Sequence, residues 1–227
     1  MLSQNTWVGI GGIGSLILAL TLHEWAHARV ATWRGDTTAK DLGRLTINPI
    51  KHIHPVMTIM LPAFLWFVLP LMGLPGLLFG GAKPVPVVDQ NLKSPARDMV
   101  FVAMAGPAMN FALALGSLAT IEGLRRYAGF HTTEDLSMLI LMRAVEFNIL
   151  LTVFNLVPIP PLDGSRVLSY LLPPLRGLFR AFEMIGILLV LGFVFLVPGA
   201  YEKLTKGMSF IYIWMAGVVK QGFDLVG

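Results

Sequence analysis

The fold is decided by an apolar stretch from about Trp7 to Trp33, which contains the pentapeptide His23-Glu24-Trp25-Ala26-His27. The stretch is long enough for a membrane-spanning helix, which needs about 20 predominantly apolar residues. Histidines four residues apart lie on one face of a helix, at the spacing that lets both imidazoles reach a single Zn²⁺. Because ionisable side chains inside a membrane helix are costly without a partner, the pentapeptide favours a metal site over two packed core histidines.

The composition of the chain is that of a membrane protein. Of 227 residues, 55% are hydrophobic and only 13% are charged, unlike an ordinary soluble domain. This length accommodates one bundle of about four to six spans, with no soluble accessory domain. The formal charge of +4 is better explained by cytoplasmic loops than by nucleic-acid binding, which we do not expect. Since the chain has no cysteine, any metal must be held by His, Asp or Glu.

Hydropathy predicts an all-α polytopic membrane bundle, folded as a single transmembrane domain over residues 1–227. The expected spans and the final short apolar segment are residues 7–33, 99–121, 136–157, 182–197 and 210–219. Residues 56–80 are apolar but interrupted by prolines and glycines, which predicts a re-entrant or half-spanning membrane hairpin. The following residues Val85–Val88 are β-branched and flanked by prolines, a pattern typical of a short exposed edge strand.

Basic residues orient the first span. Five of them lie at its end or just beyond it: Arg29, Arg34, Lys40, Arg44 and Lys51. The positive-inside rule therefore places residues 34–54 in the cytoplasm and the N-terminus outside, in the cell (inner) membrane. His23 lies about 16 Å from Arg34 along a helix, so the pentapeptide is expected within the membrane near its cytoplasmic face. The helix at 99–121 must then start in the cytoplasm, which requires the hairpin to begin and end on that side.

A catalytic zinc site has three protein ligands, and the pentapeptide supplies two of them. The best candidate for the third is Asp163, which follows a proline-rich end of the apolar segment 136–157. Arg166 marks the cytoplasmic boundary and puts Asp163 at about the depth of His27. An Asp-Gly turn is the alternative, but the missing ligand and the matching depth favour a metal ligand. Glu24, beside the first histidine, is expected to act as general base on a water whose pKa the metal lowers toward neutrality.

The pentapeptide and the segment Asn155–Gly164 together resemble the two zinc motifs of the site-2 protease family of intramembrane zinc metalloproteases. Three other segments are similar to that family, the last two to its compact bacterial branch: Ala105–Asn110, Lys83–Pro86 and Asn48–His52. The resemblance extends to about Arg180. It implies three core helices that carry the zinc site, with additional helices toward the C-terminus.

The resemblance also implies the chemistry. One Zn²⁺ per chain would be held by His23, His27 and Asp163, with Glu24 as general base. Asn155 would lie near the substrate carbonyl, where it helps to hold the developing oxyanion. From the residues alone, Asn155 is equally well explained as an amide that caps free carbonyls at a helix end. The substrates would be transmembrane proteins in a lipid bilayer, hydrolysed in or next to their spans.

One position departs from the compact branch, which commonly reads His-Ile-Asp-Pro where this chain has His52–Pro55. His54 thus replaces an aspartate, and we expect it in a solvated loop. Asn110, among small residues of the third apolar helix, is expected to make hydrogen bonds between helices.

A non-enzymatic membrane protein remains the alternative, either a divalent-metal carrier or a proteolytically inactive scaffold that keeps the zinc site. Metal transport would need His23 and Asp163 but depend less on Glu24. A membrane di-iron oxygenase commonly needs about eight histidines, whereas this chain has five. The sequence predicts no particular oligomeric state.

Overall fold

The computed structural model describes residues 4–61, 63–64, 68, 71–73, 80–130 and 135–226, and every regular element in these ranges is helical. The α-helices whose bounds lie within these ranges are α1 (Gln4–Arg34), α2 (Thr38–Asp41), α3 (Pro95–Tyr127), α4 (Leu136–Asn155), α5 (Asp163–Leu171), α6 (Arg176–Phe182), α7 (Gly186–Leu196) and α8 (Ala200–Val226). Short 3₁₀ turns lie at Pro49–Lys51, Asp89–Asn91, Pro173–Leu175 and Glu183–Ile185, and a π-helical segment at Pro55–Met60.

Within the described ranges, three helices are long and apolar enough to cross a membrane: Trp7–Arg34 within α1, α3 and α4. They pack against one another and form the three-helix core that the sequence predicts. α3 begins at Pro95, four residues earlier than expected. Proline suits the first turn of a helix because its missing N–H has no partner to lose there. Asp98 completes this end, since its Oδ2 accepts the Ser94 N–H at 2.9 Å.

Each face of the core is closed by a cluster of buried apolar side chains. Where α1 meets α4, the cluster consists of Leu16, Ala19, Leu20 and Leu151. Where α8 covers α3 and α4, it consists of Ala114, Leu118, Val145, Ile149 and Met215. The small side chains in both clusters allow close helix contact, which drives association where water is absent.

The C-terminal part differs in detail from the prediction. The expected span at 182–197 is divided into α6, the turn Glu183–Ile185 and α7, which has 11 residues. At the start of α7, Gly186 abuts the proline-rich segment after α4, and a Cβ there would lie 2.6 Å from Pro161 Cδ. The short segment expected at 210–219 is the middle of α8, a helix of 27 residues. Charged residues near both ends of α8 limited the apolar stretch in the sequence to the middle of the helix.

The predicted edge strand at Val85–Val88 is not formed in the described chain. These residues have no regular secondary structure. The Val85 N–H donates to Glu24 Oε2 at 2.8 Å, and the Val88 N–H donates to Asp36 Oδ2 at 2.8 Å. The carboxylates of Glu24 and Asp36 thus accept the hydrogen bonds that the backbone of a neighbouring strand would have accepted.

Much of the predicted hairpin at 56–80 lies outside the described residues, but its two ends are described and meet. The Gly81 N–H donates to the Met57 carbonyl at 3.0 Å, and Thr58 Oγ1 donates to the Gly81 carbonyl at 2.6 Å. One step further out, the Lys83 N–H donates to the His52 carbonyl at 2.7 Å. The chain therefore leaves this region beside the point where it entered.

Asp36 ties the segment after the hairpin to the end of α1. Its side chain is fully buried and accepts hydrogen bonds from Thr38, Val88 and Asn91. Burial by itself raises the pKa of Asp36, but these hydrogen bonds hold it below the ordinary value. A carboxyl group whose pKa is lowered by folding stabilises the protein above its unfolded-state pKa, and this contribution is lost as the pH falls through the folded-state value.

Replacing Asp36 with asparagine should therefore destabilise the protein by about 1–3 kcal/mol at neutral pH, because buried donors lose a charged acceptor. The difference from wild type should shrink as the medium is acidified. Thermal unfolding in detergent micelles over a range of pH measures both effects. The matched control is Asp41→Asn, which alters an exposed carboxylate bonded to Thr37 Oγ1. An equal loss of stability in the control would contradict the role of Asp36.

Candidate metal centre

Three ligand atoms from two distant parts of the chain converge in the core. His23 Nε2 and His27 Nε2 lie 3.0 Å apart on one face of α1. Asp163 Oδ2, at the first residue of α5, lies 3.1 Å from the former and 3.2 Å from the latter. All three side chains are buried. The structure thus brings together the three residues that the sequence singles out as metal ligands.

The other ring nitrogen of each histidine is bonded to α3. His27 Nδ1 lies 2.6 Å from the Val102 carbonyl oxygen, which only accepts, so this nitrogen carries the proton. His23 Nδ1 lies 2.5 Å from Asn110 Oδ1. Asn110 Nδ2 donates to Asn148 Oδ1 at 2.9 Å, which fixes the Asn110 oxygen as the acceptor for His23. Such bonds set the tautomer of metal-ligating histidines.

With the Nδ1 protons donated in this way, both Nε2 atoms present lone pairs toward Asp163 Oδ2. That oxygen is buried and has no hydrogen-bond partner. A single proton would satisfy one of the three contacts, whereas a divalent cation satisfies all of them. Tetrahedral ligands about 2.0–2.1 Å from Zn²⁺ lie roughly 3.3 Å from one another. The observed triangle is close to that size, so the residues fit a tetrahedral metal.

Two glycines permit this approach. A Cβ on Gly106 of α3 would lie 2.5 Å from His23 Nε2, so only glycine leaves room for the imidazoles. A Cβ on Gly164 would lie 2.7 Å from the Val157 carbonyl oxygen. The Asp-Gly pair therefore packs the first turn of α5 against the end of α4, which carries Asp163 into the core.

Glu24 and Asn155 line the same cavity as the three ligands. The cavity has a volume of about 370 Å³ and is bounded by α1, α4, residues 80–87 and residues 161–166. One oxygen of Glu24 is held by the Val85 N–H. Asn155 Nδ2 donates to the Leu151 carbonyl at 2.9 Å, which is the capping contact that the sequence offers as one explanation of this residue.

His54 also borders the cavity, and it is half-buried at a position without regular secondary structure. Its Nδ1 accepts the Met57 N–H at 3.2 Å, and its own N–H donates to Thr58 Oγ1 at 2.9 Å. The imidazole therefore caps the π-helical segment that opens the hairpin region. An aspartate side chain makes the same kind of cap.

The residues that orient the histidines are found only partly by sequence reasoning. Asn110 makes the interhelical bonds expected of it, including one to the Ala19 carbonyl at 3.3 Å. Its bond to His23 was not foreseen, since nothing in the sequence fixes how α1 and α3 are aligned. The Val102 carbonyl carries no side-chain signal at all.

The chain is similar to one peptidase family and to proteins named as zinc metalloproteases. Residues 129–199 match peptidase family M50. A protein of Bacillus subtilis named "Putative zinc metalloprotease YwhC" is 39% identical over 194 residues, which cover 82% of this chain and 81% of the relative. Two proteins named "Putative zinc metalloprotease Rip2" are similar over most of this chain. The one from Mycolicibacterium smegmatis is 31% identical over 91% of this chain and 74% of the relative. The one from Mycobacterium tuberculosis is 33% identical over 95% of this chain and 73% of the relative. No solved structure matches the chain.

The identity and coverage of these relatives establish the family. This chain belongs to peptidase family M50, the site-2 protease family of metalloproteases. With three helices of membrane-crossing length, it is an integral membrane protein.

Removing the hydrogen-bond acceptor of His23 should weaken metal binding. We expect Asn110→Leu to lower the affinity for Zn²⁺ about 10–100-fold, because loss of such a partner frees the imidazole to rotate and change tautomer. Asn110→Asp keeps an oxygen for His23 and should retain more of the affinity. Competition with a chromogenic chelator measures both.

The control for this comparison is Thr152→Val. Thr152 is buried between α3 and α4, and its hydroxyl bonds the carbonyls of Pro107 and Asn148 but no histidine. This variant should lose stability without losing zinc affinity. Equal zinc affinities for Asn110→Leu and wild type would refute the orienting role.

Proposed function

We propose that the protein is an intramembrane zinc endopeptidase that hydrolyses peptide bonds in or next to transmembrane segments of membrane proteins. One observation carries the proposal: the Nε2 atoms of His23 and His27 and Oδ2 of Asp163 converge beside Glu24 on the wall of one cavity. Three protein ligands that leave a fourth position free are typical of catalytic zinc rather than structural zinc. Family membership and the names of the relatives support a hydrolytic role.

Zn²⁺ bound by these three residues would supply Lewis-acid activation of water and of the scissile carbonyl. The general base is Glu24. The Val85 N–H fixes its Oε2, which leaves Oε1 to take a proton from the attacking water. As the C–N bond breaks, the same carboxyl group returns the proton to the leaving nitrogen. One water is consumed, and a carboxylic acid and an amine are formed.

Asn155 is the proposed donor to the oxyanion that develops on the substrate carbonyl. Its amide nitrogen has two N–H groups, and the bond to the Leu151 carbonyl uses one. The second remains for a negatively charged oxygen in the cavity. Capping the end of α4 and binding the oxyanion are thus compatible in one side chain.

The substrate must be unwound where it is cut, because a helix engages its own amides in hydrogen bonds. The cavity offers space for an extended stretch between α1 and α4. Part of the segment 80–87 forms its rim, and the extended peptide would lie beside it.

We place the protein in the cell (inner) membrane, with the N-terminus outside and the metal centre near the cytoplasmic face. The basic residues after α1 support this orientation. So do the hydrogen bonds between Met57, Thr58 and Gly81, because a segment whose ends meet makes no net crossing. A re-entrant hairpin between them is part of this proposal.

Replacing Glu24 with glutamine tests the catalytic assignment. The amide oxygen still accepts the Val85 N–H, so the structure is preserved while basicity is lost. We expect cleavage of a membrane-spanning reporter to fall about 10²–10⁴-fold with zinc content unchanged. Full cleavage by a zinc-loaded Glu24→Gln protein would show that Glu24 is not the base.

The companion variant is Asp163→Asn, which should lose both zinc and cleavage because a neutral amide is a poorer ligand for a hard-to-borderline cation. Measuring zinc transport by the protein reconstituted in lipid vesicles distinguishes a protease from a metal carrier. If the protein is a carrier, zinc transport should be impaired by Asp163→Asn and retained in Glu24→Gln. The proposed protease transports no zinc in either variant.

Cysteine labelling tests the hairpin, and the absence of native cysteine makes each introduced thiol unique. Met72→Cys should react slowly with an impermeant maleimide added to either side, because the tip of a re-entrant hairpin is shielded by lipid. Lys40→Cys and Tyr127→Cys are the references for the cytoplasmic and outer faces. Labelling of Met72→Cys from outside as fast as Tyr127→Cys would rule out a shallow hairpin.

A further inference from the structure

A second cavity, of about 550 Å³, borders residues 84–87 and is lined by three arginines: Arg166 of α5, and Arg176 and Arg180 of α6. Its volume is typical of small-ligand sites. Neither the metal ligands nor Glu24 and Asn155 contribute to its wall. The reaction proposed above therefore leaves this cationic cavity without a role.

The arginines are arranged at some cost to the helix. Arg176 and Arg180 are one helical turn apart, a spacing at which like charges repel. Arg176 is held in place, since its Nε donates to the Ser169 carbonyl at 3.1 Å and its guanidinium lies 4.8 Å from the centre of the Tyr170 ring. Among the residues that the structure describes, no carboxylate forms an ion pair with either arginine. An anion between them would convert the repulsion into attraction.

Two carboxylates also line the cavity but do not neutralise it. Asp89 accepts a hydrogen bond from the Tyr170 hydroxyl. Burial raises the pKa of Asp89, although the three guanidinium groups act to lower it. Glu183 approaches Arg166 only to 3.8 Å. Three guanidinium groups against two carboxylates leave a net positive charge.

The surroundings of the cavity are apolar and exposed. Large hydrophobic side chains stand out from the same part of the chain, with Leu178 52% exposed and Leu188 65% exposed. The other exposed members of this surface are Leu171, Leu172, Phe182 and Ile185. A short amphipathic segment with arginines on one side and exposed leucines on the other is suited to the boundary between headgroups and acyl chains.

We propose that this cavity binds the phosphate of an anionic phospholipid headgroup. Guanidinium groups recognise phosphate oxygens through paired hydrogen bonds, and basic pockets at the membrane surface attract anionic lipids. The acyl chains lie along the exposed leucines of α6 and α7. The headgroup cavity and the metal-centre cavity share five residues: Pro84, Val85, Val87, Arg166 and Glu183. The bound lipid therefore contacts the segment that holds Glu24.

The test is lipid binding by the purified full chain in neutral-detergent micelles, counted by native mass spectrometry during titration with phosphatidylglycerol or phosphatidylcholine. Wild type should retain one phosphatidylglycerol in preference to phosphatidylcholine. Arg180→Gln should weaken phosphatidylglycerol binding about fivefold and leave phosphatidylcholine binding unchanged. Arg176→Gln combined with Arg180→Gln should weaken it about twenty-five-fold.

The matched control is Lys40→Gln with Lys51→Gln, which removes two exposed charges from the same predicted face but outside the cavity. It should bind phosphatidylglycerol as wild type does. If the double arginine variant fails to fold, Arg180→Gln alone decides, because no hydrogen bond of the described chain involves that side chain. Retained zinc affinity in each variant verifies the fold.

Three results would overturn the proposal. The first is equal retention of both lipids by wild type. The second is displacement of phosphatidylglycerol by glycerol phosphate at comparable concentration, which would make the cavity a site for free phosphate. The third is binding of an acidic peptide in place of the lipid, which would make it a subsite for substrate. None of these outcomes bears on Glu24, so the lipid site and the protease function are tested separately.

Discussion

The structure depends on three lone-pair atoms that face one another on buried side chains. His23 Nε2, His27 Nε2 and Asp163 Oδ2 lie within hydrogen-bond distance, yet the protons that would join them are committed elsewhere or absent. Removing such groups from water without a counter-charge costs several kcal/mol. A cation converts this cost into a bond that joins the start of the chain to α5, about 140 residues later. Binding of the metal therefore also stabilises the fold.

One face of α3 holds both imidazoles in the orientation that metal binding requires. The Val102 carbonyl, Gly106 and the Asn110 amide follow one another at intervals of four residues, so they lie on one helix face. They supply, in order, an acceptor for His27, space for both rings and an acceptor for His23. Asn110 in turn donates a hydrogen bond to Asn148 of α4, which fixes the orientation of the Asn110 amide. All three core helices thus hold the imidazoles in register.

Sequence reasoning recovered what depends on local spacing or on type of residue. The i, i+4 histidines, the prolines that end α4 and the three long apolar helices are of this kind. The edge strand failed because β-branched residues predict an extended backbone but not its partner, and here that partner is the side chain of Glu24. The ends of α8 were missed because charged residues flank its uncharged middle, residues 207–219, on both sides: Glu202, Lys203 and Lys206 before it, and Lys220 and Asp224 after it. The orienting role of Asn110 depends on helix alignment, which spacing along one helix does not encode.

The hydrogen bonds that join Met57 and Thr58 to Gly81 hold the two ends of residues 57–81 beside each other. Since both ends are pinned next to each other, the entropy of closing the chain between them rises only slowly with the number of residues enclosed. A longer or shorter segment between Thr58 and Gly80 is therefore compatible with the same placement of His52 and Lys83. The length of this segment is in that sense independent of the zinc-binding core.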